Sequence, residues 1–185
     1  MITTLNKIRA HDPCANGWRK LLAHLGKTGA DDEPLPILTI LDSNGLEDAL
    51  WCLRAVGGHD REIRLYAVWC ARQVQYLMTD QRSLSALDVA ERFANGNATR
   101  GELNTAWLAA REPWSPARAT WWAVASAARA AERSAAMAAW FAPIAARSAA
   151  IAAGATVIAA GAAQSSRLRE ICTPVAACPQ QQEGA

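Results

Sequence analysis

The sequence predicts an all-α protein, a multi-helix bundle with short antiparallel connections and an Ala-rich C-terminal helical half. Three observations predict it. Apolar residues recur at i, i+3, i+4 and i+7 along most of the chain. Capping residues and glycines punctuate those stretches at helix-length intervals. From Ser115 to Ala163 nearly half the residues are Ala, the strongest helix former. A chain of 185 residues can build one domain with a sizeable core, expected over residues 1–171, with residues 172–185 as a flexible tail.

Taken in order, Asp12-Pro13 reads as an N-cap followed by proline at the first helical position. Trp18, Leu21, Leu22 and Leu25 then share one face, and Gly26 ends the helix. GADDEP is a loop. The apolar run Pro36–Leu41 is ambiguous by periodicity and reads as a helical turn, since no partner strand is evident. Ser43-Asn44 opens a helix carrying Leu46, Ala49, Leu50 and Leu53, closed by Gly57-Gly58. Asp60 begins a longer one with an inward stripe of Ile63, Ala67, Cys70, Val74 and Leu77. Ser83 caps the next, with Leu84, Leu87, Ala90 and Ala94 inward and Gly96 at its end. Thr99 and Glu102 have the spacing of a capping box, ahead of Leu103, Ala106, Trp107 and Ala110. Ser115-Pro116 starts the Ala-rich run, which Pro143 should kink or divide because proline lacks the amide donor.

Composition narrows the function classes. Apolar residues at 51% and charged residues at 19% exclude a disordered chain. A net charge of +2 removes the simplest case for a nucleic-acid binder, and equally for an acidic mimic of nucleic acid. The charge is uneven, however. Residues 31–60 carry seven acidic side chains against Arg54 alone, whereas residues 1–30 carry five basic ones against Asp12. Such asymmetry either steers a partner or pairs neighbouring helices. MITTLNKIRAHDP has no apolar core behind its charges and does not read as a signal peptide, so a cytoplasmic protein is expected. The uncharged stretch Ser148–Ser166 is long enough to span a bilayer, but Ala and Gly dominate it and no membrane segment is expected.

Catalytic and metal motifs are sparse. Cys14, Cys52, Cys70, Cys172 and Cys178 form neither a CxxC nor a Cys/His pair at metal-ligand spacing, and read as free thiols. Neither HExxH, GxSxG nor a phosphate-binding glycine loop occurs. Asp31, Asp32 and Asp42 could offer oxygen ligands to a cation, but exposed loop carboxylates are more often hydrated. The expectation is a non-enzymatic protein with no metal and no cofactor.

GLEDALWCLRAV (Gly45–Val56) followed by REIRLYAVWCARQV (Arg61–Val74) resembles the immunity-protein-5-like family, immunity proteins of bacterial polymorphic-toxin loci and of phage genomes. Asp48, Ala49, Leu50, Trp51, Arg54, Arg61, Arg64, Ala67, Cys70 and Ala71 carry the match, and the likeness extends over about residues 35–165. The resemblance implies a small helical cytoplasmic protein that neutralises a toxin or other effector by binding it, with no catalytic residues. A phage-borne copy would instead inhibit a host defence complex, in the manner of an anti-CRISPR protein. The segment after Leu77, MTDQRSLSAL, departs from the family in lacking its Pro-rich acidic run.

Two stripes left over from core packing are the candidate partner surfaces. On a wheel of about 100° per residue, Trp122, Arg129, Arg133 and Trp140 fall together with Arg118 alongside. Trp and Arg dominate binding hot spots, although Arg stems lying over indoles within the chain would give the same pattern. Nucleic acid could use such a face by stacking, but Glu132 and the low net charge argue against it. The second set is Leu65, Trp69, Arg72 and Tyr76, opposite Ile63 and Val74, with Trp51 similarly placed on the preceding helix. Helices apolar on two sides are either sandwiched by others or meet a protein partner, a second copy included.

Overall fold

The computed structural model describes residues 1–78, 80–111, 143–147 and 157–173. It is an all-α bundle with one small two-stranded ribbon. The ribbon is the first departure from expectation: β1 (Ile2–Thr3) pairs antiparallel with β2 (Leu35–Pro36), Thr3 opposite Leu35. A two-residue strand has no readable alternation, so the partner of the Pro36 segment was invisible in sequence. The run from Ile37 onward is helical, as expected. Thr3 is buried, and its hydroxyl donates to Ala55 O at 2.7 Å, tying the ribbon to the 3-10 turn Leu53–Ala55.

Helix α1 (Leu5–Arg9) is capped by the Thr4 hydroxyl and buries Leu5 and Ile8. Helix α2 (Ala15–Leu25) starts later than Asp12-Pro13 suggested. Cys14 is its N-cap, with Sγ accepting from Gly17 N at 3.4 Å, while Asp12 sits in the left-handed region at φ 54°. A residue preceding proline is disfavoured in the right-handed helical region, which pushes the helix start downstream. Gly26 closes α2 at φ 65°.

Helix α3 (Ile37–Asn44) ends at Gly45, whose φ of 98° breaks the chain direction before α4 (Leu46–Cys52) and the 3-10 turn Leu53–Ala55. Ser43 and Asn44 therefore close one helix and do not open the next. Helix α5 (Asp60–Arg72) buries Ile63, Tyr66, Ala67, Val68, Cys70 and Ala71. Helix α6 (Gln81–Ala94) is capped by Asp80 and not by Ser83, which is buried and donates its hydroxyl to Asp80 Oδ2 at 3.2 Å. Helix α7 (Arg100–Arg111) carries the expected capping box: Glu102 Oε2 accepts from Thr99 N at 2.7 Å, and Thr99 Oγ1 accepts from Glu102 N at 3.2 Å.

The final described helix, α8 (Val157–Cys172), packs against α3, α4 and α5. Cys172, expected to begin the loose tail, is its last residue and is buried in the core. The helical segment 143–147 is fastened to α8 where Gln164 Nε2 donates to Pro143 O at 2.9 Å. One large core gathers side chains from every described helix, with Ala86 and Leu87 of α6 and Ala110 of α7 joining those of α1 to α5 and α8. A smaller cluster of Val68, Ala90 and Leu103 lies between α5, α6 and α7. No helix among the described residues is long and apolar enough to cross a membrane.

Candidate functional site

A cleft with a cavity volume of about 320 Å³ opens between α2 and α4. Its apolar wall is built by Ile8, Leu21, Ile40 and the half-buried indoles of Trp18 and Trp51. Its polar side is Asn44, Glu47, Asp48 and the thiol of Cys14.

Local structure accounts for each placement. Gly45 turns the chain so that Glu47 and Asp48 fall in the first turn of α4, where the helix dipole favours carboxylates. Asn44, freed from capping, uses its Nδ2 twice: it donates to Gly17 O at 2.8 Å and to Asp48 Oδ2 at 2.7 Å. One carboxamide thus links α2 to α4 and aims the Asp48 carboxylate. Gly17 permits this close approach, because a Cβ would lie 2.7 Å from Asp48 Oδ2 and 3.2 Å from Cys14 Sγ and the carboxylate would have to shift. Glu47 is paired with Arg147 at 3.1 Å. Trp51 is braced from behind by Arg54, whose guanidinium stacks at 4.1 Å from the ring centroid and whose Nε donates to Trp51 O. The other thiol of the lining, Cys52, is buried, and desolvation pushes it up to about 12.

The stripe of Arg118, Trp122, Arg129, Arg133 and Trp140 lies outside the described residues. The second set is dispersed. Leu65 is half-buried. Trp69 stacks on Tyr66 with centroids 6.4 Å apart, and Arg167 of α8 lies 5.9 Å over its ring. Arg72 donates to Asp88 at 2.8 Å and Glu91 at 2.7 Å, bracing α5 against α6. At Trp69 and Arg72 the covering element is therefore part of the chain itself, and α5 is sandwiched there. Tyr76, by contrast, is 71% exposed. Of the matched motif positions, Asp48 and Trp51 line the cleft, Ala49, Leu50, Ala67, Cys70 and Ala71 fill the core, and Arg61 donates to Asn95 Oδ1.

Two of the three carboxylates weighed as cation ligands are taken by basic side chains, Asp31 by Lys27 and Asp42 by Arg169. Among the described residues no group of three His, Cys, Asp or Glu is placed to hold a metal ion. Sequence reasoning missed Trp18, which it assigned to the core stripe, and Cys14, which it took as incidental. The available signal was Gly17, a helix-disfavouring residue one position before a tryptophan and a mark of close approach. Compared with protein-family models, curated proteins and solved structures, the chain matches none.

Proposed function

We propose that this protein is a non-enzymatic cytoplasmic inhibitor that neutralises a toxin or similar effector by binding it, as immunity proteins do, and that the cleft between α2 and α4 is part of its contact surface. The observation that carries this reading is the pairing of Trp18 and Trp51 as half-buried walls of one concave site. Tryptophans in partly desolvated pockets are the commonest binding hot spots, since each buries a large apolar area while retaining a donor. The cleft's own chemistry favours binding over turnover. The described lining is mostly apolar, with two carboxylates, one carboxamide and two thiols as its polar groups and no histidine among them, a composition suited to holding a partner's side chain.

The test is co-expression with the toxin encoded beside this chain in its genome of origin, or with a CRISPR effector complex for a phage-borne copy. Wild type should restore growth or block interference, and Trp51→Ala and Trp18→Ala should weaken complex formation by about 1–3 kcal/mol while melting as folded proteins. Trp122→Ala and Arg133→Ala form a separate arm for the outer stripe. Full activity in folded Trp51→Ala and Trp18→Ala variants would remove the cleft from the contact surface. No protection by wild type against either class of effector would sink the inhibitor reading.

A further inference from the structure

The charged groups lining the cleft are both acidic, Glu47 and Asp48, and they are not equivalent. Glu47 already has a cation, Arg147, at 3.1 Å. Among the described residues Asp48 has no ion-pair partner; its hydrogen-bond donor is the neutral carboxamide of Asn44 at 2.7 Å. Lys20, which does not line the cleft, is exposed and donates to Asn44 O at 3.4 Å. Arg54 stacks on Trp51 but does not line the cavity. Asp48 is thus a half-buried carboxylate set beside two indoles, an aliphatic floor and an empty volume of about 320 Å³.

That combination is complementary to one class of group, a cation carried on an apolar stem. The stem would bury against Ile8, Leu21 and Ile40, the indole faces would attract the charge through their quadrupoles, and the carboxylate would accept a charge-assisted hydrogen bond. The ring of Trp51 already holds one guanidinium, that of Arg54, at stacking distance. We propose that the cleft is a receptor for a basic side chain, an arginine or lysine projecting from the protein partner, with Asp48 as its counter-ion and Trp18 and Trp51 as its walls. This inference rests on the binding reading given above and specifies the chemistry that the partner must present.

The probe is the blocked tripeptide acetyl-Gly-Arg-Gly-amide, titrated against the full chain while the indole N–H resonances are followed by NMR. Lysine and norleucine tripeptides are the comparison arms. The arginine or lysine peptide should shift the Trp18 and Trp51 signals saturably, at least about tenfold more tightly than norleucine, a difference equal to roughly 1.4 kcal/mol. Asp48→Asn, which keeps the shape and the acceptor for Asn44, should erase that preference. Gly17→Ala, which drives a Cβ against the carboxylate, should weaken the basic peptides without changing norleucine.

Equal binding of norleucine, or an undiminished preference in Asp48→Asn, would overturn the proposal. Its failure is separable from that of the binding reading. If Trp51→Ala abolishes effector protection but Asp48→Asn preserves it, the basic-side-chain receptor is wrong and the contact surface stands. If the basic peptides bind through Asp48 while Trp51→Ala still protects, the cleft recognises basic side chains but not the effector's, and the proposed partner contact is overturned.

Discussion

Tyr66 is wholly buried in α5, and its hydroxyl donates to Gln164 O of α8 at 3.2 Å. Burial pushes the phenol above its ordinary range, which favours the neutral, donating form. Tyr66→Phe should cost about 0.5–1.5 kcal/mol, read as a lower denaturant midpoint with an unchanged slope, because the carbonyl keeps its place in the helix and loses one buried donor. An unchanged midpoint would show that the bond adds nothing to stability. Tyr66 escaped the sequence reading of the inward stripe because its acceptor lies 98 residues away, and no local periodicity reports such a partner. The buried thiols behave as that reading anticipated: desolvation pushes Cys70, like Cys52, up to about 12, leaving Cys14 as the exposed thiol among the described cysteines.

Capping shows at the scale of elements where local chemistry decides and where packing does. At α7 the donors and acceptors of Thr99 and Glu102 satisfy each other within one turn, so spacing alone revealed the helix start. At α4 and α6 the residues that spacing suggested as caps were taken up otherwise, at α4 by a tertiary link and at α6 by the local acceptor Asp80. Asn44 was claimed by the link to Gly17 and Asp48, and Ser83 was drawn into the interior. The hydrogen bonds from the Thr99 amide and hydroxyl, then from Arg92, hold the Glu102 carboxyl below its usual value. A depressed carboxyl stabilises the fold fully above its unfolded pKa, and that contribution is lost as pH falls through the folded one. The melting temperature should therefore drop between about pH 5 and about pH 3, and part of that drop should vanish in Glu102→Gln. An identical pH profile in the variant would show that the capping box does not couple to stability.

Across the whole molecule, the acidic segment of residues 31–60 is answered from both directions along the chain, with Asp60 paired locally to Arg64. Asp42 pairs with Arg169 and Glu47 with Arg147, while Lys27 of the basic N-terminal segment reaches only the loop carboxylates Asp31 and Glu33. Of these pairs Asp42–Arg169 alone reaches α8, and both its side chains are exposed, so it orients the helix more than it stabilises it. Its anchorage is apolar, with Leu168 fully buried against the core of α3, α4 and α5. Leu168→Ala should destabilise the protein by about 2–5 kcal/mol, measured by denaturant unfolding, and should loosen the cover over Trp69. A loss below about 0.5 kcal/mol would mean that α8 is not integral to the bundle. The bundle class was legible in the sequence because helical spacing sets it. Spacing left open whether Trp51 packs within the chain or meets a partner, and the structure has it half-buried against the core. The cleft was not legible, since its width depends on how α2 meets α4, a distance that no single helix encodes.

The bond from Tyr66 to Gln164 also orders events during synthesis. A nascent polypeptide halted before residue 157 has made α1 to α7 but not the helix that roofs Tyr66 and Trp69. Until that late segment emerges, the Tyr66 hydroxyl lacks its Gln164 acceptor and the Trp69 ring lacks the Arg167 guanidinium above it.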